Sequence, residues 1–214
     1  MINNCPETIW PAAHTKEGVA IIPTGWKLEP TYSYDINFGP NDSWTGLIWA
    51  RTGCSGENYK NFQCDIGDCG TNTIRCHHNT PKPPISLLRL HLNPEGGNSD
   101  YKLDLMQGFN LPMQITPISS VQCQKIVFLR DIRQQCPDFL AVYGNERKIA
   151  CKSPCFTTGE PKYCCTGAFA SPEKCEPNEY TKIIKDVCPQ AVSNAFDNTN
   201  FSCIGGTSFM VTFC

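Results

Sequence analysis

Fifteen cysteines in 214 residues constrain this chain more than any other feature. A reducing compartment rarely tolerates so many thiols unless a metal holds them, whereas an oxidising one converts them to cross-links. Zinc sites repeat paired ligands at short, matching spacings. Here the spacings are irregular: Cys64 to Cys69, Cys69 to Cys76, Cys151 to Cys155, and the adjacent Cys164-Cys165. Cys76-His77-His78 is the nearest approach of histidine to cysteine, and it reads as two polar residues of a short loop. Disulfides are therefore expected, with no metal or other cofactor. The odd count means that at least one thiol lacks an intramolecular partner.

The rest of the composition narrows the class. Apolar residues make up 40%, enough for a core, while 16 Gly and 17 Pro favour turns over long helices. A net charge of −2 argues against nucleic acid or an anionic membrane as a bulk electrostatic partner. No apolar run approaches membrane-spanning length. The start, Met1-Ile2-Asn3-Asn4-Cys5, has no basic residue and no apolar stretch, so it does not read as a signal peptide. A secreted chain is then expected to have lost its signal.

The first fifty residues read as β. Thr8-Ile9-Trp10, Trp26-Lys27-Leu28, Ser33 to Phe38 and Leu47 to Arg51 cluster β-formers between Pro and Gly breaks. Residues 54–82 carry cysteines, Asn and Gly with few aliphatics, as a stapled loop region would. Strands resume at Ser86 to Leu92 and Tyr101 to Leu105; in the second, Lys102 and Asp104 share the face opposite Leu103 and Leu105. Helices are predicted at Ile126 to Cys136, before Pro137, and at Glu179 to Val187, before Pro189. The tail, Ser208 to Phe213, is again β. The class is mainly β, a sandwich closed by its termini, with Cys5 and Cys214 placed to staple first strand to last.

Specific motifs then accumulate in order: Asn3-Asn4-Cys5-Pro6, Ile48-Trp49-Ala50-Arg51-Thr52-Gly53-Cys54, Gly67-Asp68-Cys69-Gly70, Pro83-Pro84, Gly108 to Met113, Ala150-Cys151-Lys152-Ser153, Tyr163-Cys164-Cys165 and Thr212-Phe213-Cys214. Across nearly its whole length the chain resembles the thaumatin-like proteins, the plant pathogenesis-related group 5 and osmotin family. The resemblance implies a thaumatin-like flattened β-sandwich (1–51, 83–127, 189–214), a disulfide-rich helical lobe (128–188), a small stapled lobe (52–82) and an inter-lobe cleft. It implies the bonds Cys5–Cys214, Cys54–Cys64, Cys69–Cys76, Cys123–Cys203, Cys136–Cys151, Cys155–Cys164 and Cys165–Cys175. The family's sixteenth cysteine falls at Phe128 here, so Cys188 is the expected free thiol, either buried against that ring or exposed and open to an intermolecular disulfide.

In antifungal members the cleft holds an arginine, a glutamate and three aspartates, proposed to bind β-1,3-glucan and in some members to hydrolyse it weakly. The matching positions here are Leu47, Arg89, Lys102, Gln107 and Asp197. One cation and four carboxylates have become two cations and one carboxylate. Asp104, two residues beyond Lys102, points to the same side and is expected to pair with Lys102 or Arg89. Hydrolysis needs two carboxylates, and the candidate pair is Asp197 with Asp104. Tyr101 and Phe109, with Phe196, are candidate stacking rings for a sugar; Tyr101 is the better placed, beginning a strand beside polar residues. Lys60 and Ile66 replace a glycine and a threonine of the family signature around Cys64 and bear on loop geometry alone. Asp68 reads as structural. Asn41-Asp42-Ser43 and Asn200-Phe201-Ser202 fit the N-glycosylation rule.

Three functions follow as expectations. The first is a secreted, monomeric defence or stress protein, apoplastic or vacuolar, that acts by binding at a cleft with weakened or altered glucan recognition. Its ligand would be a wall carbohydrate, an anionic small molecule or a protein. The second is a weak endo-β-1,3-glucanase using Asp197 with Asp104. The third is a protein-interaction module, an enzyme inhibitor or a receptor ectodomain.

Overall fold

The computed structural model describes residues 1–57, 59–93, 97–118, 123–204 and 206–214. The strands are β1 (Ile2–Asn3), β2 (Trp10–Gly18), β3 (Trp44–Glu57), β4 (Lys60–Ile66), β5 (Leu87–Leu92), β6 (Asn98–Asp104), β7 (Gly108–Phe109), β8 (Met113–Pro117), β9 (Ala141–Gly144), β10 (Arg147–Lys152), β11 (Phe201–Ile204) and β12 (Phe209–Phe213). The α-helices are α1 (Pro154–Thr158), α2 (Pro161–Cys164) and α3 (Glu179–Val187). The large sheet runs β11-β6-β5-β3-β2, with β4 on the far end of β3; a second sheet is β1-β12-β8.

Alternation along the strands explains the packing of the two sheets. Trp44, Ile48, Leu88, Leu90, Tyr101 and Leu103 point from the large sheet into one core, which Met113, Ile115, Val211 and Phe213 of the second sheet complete. Alternation puts position 46 on the same face, and it is a glycine because the Trp44 ring covers it: a Cβ there would sit 2.3 Å from that ring. On the opposite face, Ala12, Leu47, Trp49 and Leu87 form a smaller core with Ile66, Cys69, Cys76, Ile85 and Ala150. This second core covers only one end of the face.

Arg51 anchors residues 62–76 to the large sheet. Its guanidinium is fully buried and donates to the carbonyl oxygens of Trp10 (3.1 Å) and Ile74 (2.8 Å), with the Phe62 ring 5.2 Å away. Burial lowers its pKa to about 10, opposed by Asp68, so the charge is retained at neutral pH. Trp49 makes a second anchor, donating Nε1–H to the Gly67 carbonyl at 3.1 Å.

Two expectations are corrected. Ile126 to Cys136 is not a helix; only Arg133–Gln135 forms a 3₁₀ turn. Ile126 instead exchanges both backbone hydrogen bonds with Ile115 at 3.0 Å, and buried Ile126 and Phe128 alternate with exposed Leu129. The period is two, not 3.6, and an extended segment results. Ser33 to Phe38 is likewise no strand: only Ser33 bridges, to Ile2. Helix α3 occupies Glu179–Val187, capped by the Asn178 side chain on Thr181 N–H. Much of 128–188 is not helical, because β9 and β10 form a hairpin that extends through β7 into a three-stranded sheet.

Seven disulfides close the chain: Cys5–Cys214, Cys54–Cys64, Cys69–Cys76, Cys123–Cys203, Cys136–Cys151, Cys155–Cys164 and Cys165–Cys175. Cys188 is free and fully buried, and burial raises its pKa to about 11, so it stays a thiol. The Leu129 N–H to Val187 carbonyl bond, 3.0 Å, ties its segment to that of Phe128. Phe128→Cys is therefore expected to form an eighth disulfide with Cys188. By chain entropy the cross-link would stabilise by about 4 kcal/mol. Loss of the ring, which packs 6.3 Å from Phe109, costs about 3–5 kcal/mol. The net change in chemical unfolding should thus be within about 2 kcal/mol of zero. A Phe128→Ala control should show the full loss, and mass spectrometry should find no free thiol in Phe128→Cys.

Candidate ligand cleft

The sheet face beyond the second core carries polar, half-buried side chains. Cross-strand register places His14 opposite Leu47, Leu47 opposite Arg89, and Arg89 opposite Lys102, one row across four strands. Leu47 is buried; the other three are half-buried. The next row sets Thr45 opposite His91 and His91 opposite Asp100, with Thr45 Oγ1 and His91 Nδ1 2.7 Å apart. Strand pairing brings Leu47, Arg89 and Lys102 together because their side chains share one face of adjacent strands.

Asp104 ends β6 on the same face, and it is not free. Its Oδ2 accepts from Arg89 Nε at 2.6 Å, and its Oδ1 accepts the Met106 N–H at 3.0 Å. The carboxylate is 5% exposed and the arginine 36%. Asp197 is anchored differently. Its Oδ2 accepts from Ser193 N–H (2.6 Å), Ser193 Oγ–H (2.7 Å) and Lys185 Nζ (3.0 Å). Burial alone would raise its pKa; the Ser193 hydrogen bonds and the Lys185 ammonium overcome that and hold it below the usual carboxylate range. Lys185 also donates to the Ala191 carbonyl at 2.7 Å, so the pair ties α3 to the 189–197 loop. That loop reaches β6 where Val192 exchanges 2.8 Å bonds with Leu103 and Leu105, and Tyr180 of α3 donates to the Leu105 carbonyl at 2.5 Å.

Gln107 is exposed on the turn after β6. Two aromatic candidates are corrected. Tyr101 points to the other face, fully buried against Phe201 and Phe209, its hydroxyl donating to the Gln124 carbonyl. Strand alternation dictates this: Tyr101 must oppose Lys102. Phe109 is buried in the same core beside Phe128. Neither ring can stack on a cleft ligand; Phe196 is half-buried on the loop whose Asn194 side chain accepts its N–H. Asn41 and Asn200 are both exposed. The residues that sequence reasoning missed here are Lys185 and Tyr180. Lys185 lies twelve positions before Asp197, with no local spacing rule to join them; Tyr180 was visible only as a helix-face residue.

Comparison with known proteins fits this architecture. The Thaumatin family model matches residues 3–214, and the chain belongs to that family. It is 37% identical over 217 residues to Thaumatin-like protein 1 of Pyrus pyrifolia, covering 99% of this chain and 88% of that one. It is 35% identical over 217 residues to a protein of Prunus avium named Glucan endo-1,3-beta-glucosidase, covering 99% and 88%. The solved structure of the thaumatin-like xylanase inhibitor TLXI superposes with a TM-score of 0.53 at 21% identity, covering 100% of this chain and 96% of that one, which shows a shared fold.

Proposed function

We propose that this is a secreted thaumatin-like defence or stress protein that acts by binding at the cleft, not by hydrolysis, and that its hold on neutral β-1,3-glucan is weakened. The observation that carries this reading is that both cleft carboxylates are already engaged by protein cations, Asp104 by Arg89 and Asp197 by Lys185. A glycosidase needs one carboxyl held protonated near neutral pH as general acid. Asp197 is shifted the opposite way. Lys102, where the family resemblance implies an aspartate, presents a donor in place of an acceptor to sugar hydroxyls. The disulfide framework supports an oxidising, extracellular setting.

The test is retention on insoluble β-1,3-glucan alongside a reducing-end assay on laminarin. Wild-type protein should release no reducing ends and bind weakly. Lys102→Asp with Gln107→Asp should raise retention about tenfold, the worth of one charged hydrogen bond. Turnover by wild type that Asp197→Ala abolishes would overturn the binding reading in favour of hydrolysis. Unchanged retention in the double variant would remove the cleft as the glucan-contacting surface.

A further inference from the structure

A cavity of about 460 Å³ lies away from the cleft. It lies on the other face of the large sheet, between that sheet and β12. Trp44, Ile48 and Leu90 of the large sheet form one wall, and Phe209 and Val211 of β12 form the other. The loop carrying Ile36 and Phe38 closes a third side, with Phe38 6.1 Å from Trp44 between ring centroids. The size falls within the range of small-molecule sites, and the lining is divided almost evenly between apolar side chains on the walls and polar groups around them. Ile118, exposed at the mouth, extends the apolar surface outward.

Charge at the mouth selects the head group. Among the described residues, no lysine, arginine or histidine side chain lines the cavity. Its side-chain charges are Asp35 and Asp42, and Asp42 is turned into its own loop, accepting the Gly39 N–H at 2.7 Å. The Met1 ammonium, also at the mouth, donates to the Tyr34 carbonyl at 2.7 Å. Among the described residues the mouth carries two carboxylates against the one Met1 ammonium, a net negative charge that disfavours an anionic head, whereas a hydroxyl would meet hydrogen-bonding groups such as Asn37 and Thr207. We infer that this cavity binds an uncharged amphiphile, an aliphatic body with a hydroxyl head such as a long-chain alcohol, independently of any ligand in the cleft.

The test uses N-phenyl-1-naphthylamine, an uncharged probe that fluoresces in apolar sites, with the whole disulfide-bonded protein. Probe fluorescence should rise on binding, tryptophan emission should change in the same titration, and 1-decanol should displace the probe at least tenfold more effectively than decanoate at pH 7.5. Val211→Phe fills the floor and Ile36→Trp fills the mouth; each should weaken probe binding at least tenfold. Should Val211→Phe fail to fold, as judged by circular dichroism, Ile36→Trp carries the same expectation from the rim. Lys102→Asp, in the cleft, should leave probe binding unchanged. Absence of probe binding to wild type overturns the proposal, as does unaltered affinity in the folded filled variants. Equal displacement by decanoate overturns the head-group assignment, and loss of binding in Lys102→Asp would relocate the site to the cleft.

Discussion

Arg51→Ala is expected to destabilise the protein by about 3–5 kcal/mol, because it orphans buried carbonyls and removes a large side chain from a closed space. The Ile74 carbonyl takes its 2.8 Å bond from this guanidinium and the Trp10 carbonyl a second at 3.1 Å. The Pro11 carbonyl keeps another donor, the Trp26 N–H at 3.2 Å, and is not left bare. Each orphaned acceptor costs about 1–3 kcal/mol, and the void adds to that. Arg51→Met separates the two contributions. It keeps most of the volume and sheds the cost of burying a charge, leaving the unpaired carbonyls and a loss of about 2 kcal/mol. Arg51→Lys is no rescue, since a point charge cannot reach both carbonyls as the planar fork does. Denaturant unfolding of the three variants measures this, and a loss under 1 kcal/mol for Arg51→Ala would refute the anchoring role. Because Ile74 and Phe62 belong to the stapled segment, limited proteolysis within 58–76 should quicken first.

This anchor marks where sequence reading succeeded and where it stopped. Leu47 to Arg51 is legible as a strand, and the resemblance places Arg51 inside a motif. Neither says that a cation at the end of an alternating apolar run must turn inward. The reason lies in the tertiary structure: the face carrying Leu47 and Trp49 is roofed by 62–76, so Arg51 finds carbonyls where water would otherwise be. The same alternation, applied strictly, would have removed Tyr101 from the cleft, since Lys102 and Asp104 had already been assigned to that face. Phe109 needed the fold, for β7 is two residues long and its ring direction follows from pairing with β10. Helix α3 is legible because its apolar spacing is unbroken up to the proline that follows it. Ile126 to Cys136 reads as a helix from Val127, Leu129 and Ile132, whereas Ile126 and Phe128, two residues apart, share a face only in extended chain, and pairing with Ile115 fixes that form.

The cleft shows the same division. Substituted acidic positions can be named from the chain alone, and Arg89 with Asp104 was among the pairings expected from two-residue spacing. What the chain could not supply is the state of the remaining carboxylate. Asp197 is fixed by a serine four residues back and by a lysine on the preceding helix, contacts that exist only once α3 and the 189–197 loop have docked on β6. Its ionisation, and with it the case against a general acid, is a property of that docking.

Removing the Cys5–Cys214 bridge, by replacing both cysteines with alanine, is expected to cost about 5 kcal/mol, the largest effect of any single cross-link here. The bond spans 209 residues, and the entropy that a cross-link removes from the unfolded chain grows with the logarithm of the loop it closes. Cys123–Cys203 shortens the path between the ends, yet the logarithm leaves the figure near 5 kcal/mol. The N-terminal strand β1 is two residues long: it pairs in parallel with β12, Ile2 opposite Thr212 and Asn3 opposite Phe213, and on its other side Asn3 exchanges backbone bonds with Thr31 and Tyr32 at 2.8 and 3.0 Å. Asn3 adds side-chain bonds to the Glu7 and Leu28 carbonyls at 3.0 and 2.9 Å, which keep the turn formed but do not bridge to β12. The double variant should therefore unfold at much lower denaturant and with a steeper slope, because the unfolded chain freed of the cross-link exposes more surface, and hydrogen exchange should show Ile2 and Asn3 opening before the large sheet. By contrast, the Cys54–Cys64 bridge joins directly paired residues of β3 and β4 across a separation of 10 and should be worth less. Equal losses from the two bridges, or a loss below 1 kcal/mol for Cys5–Cys214, would show that the chain ends are held by packing and not by the cross-link.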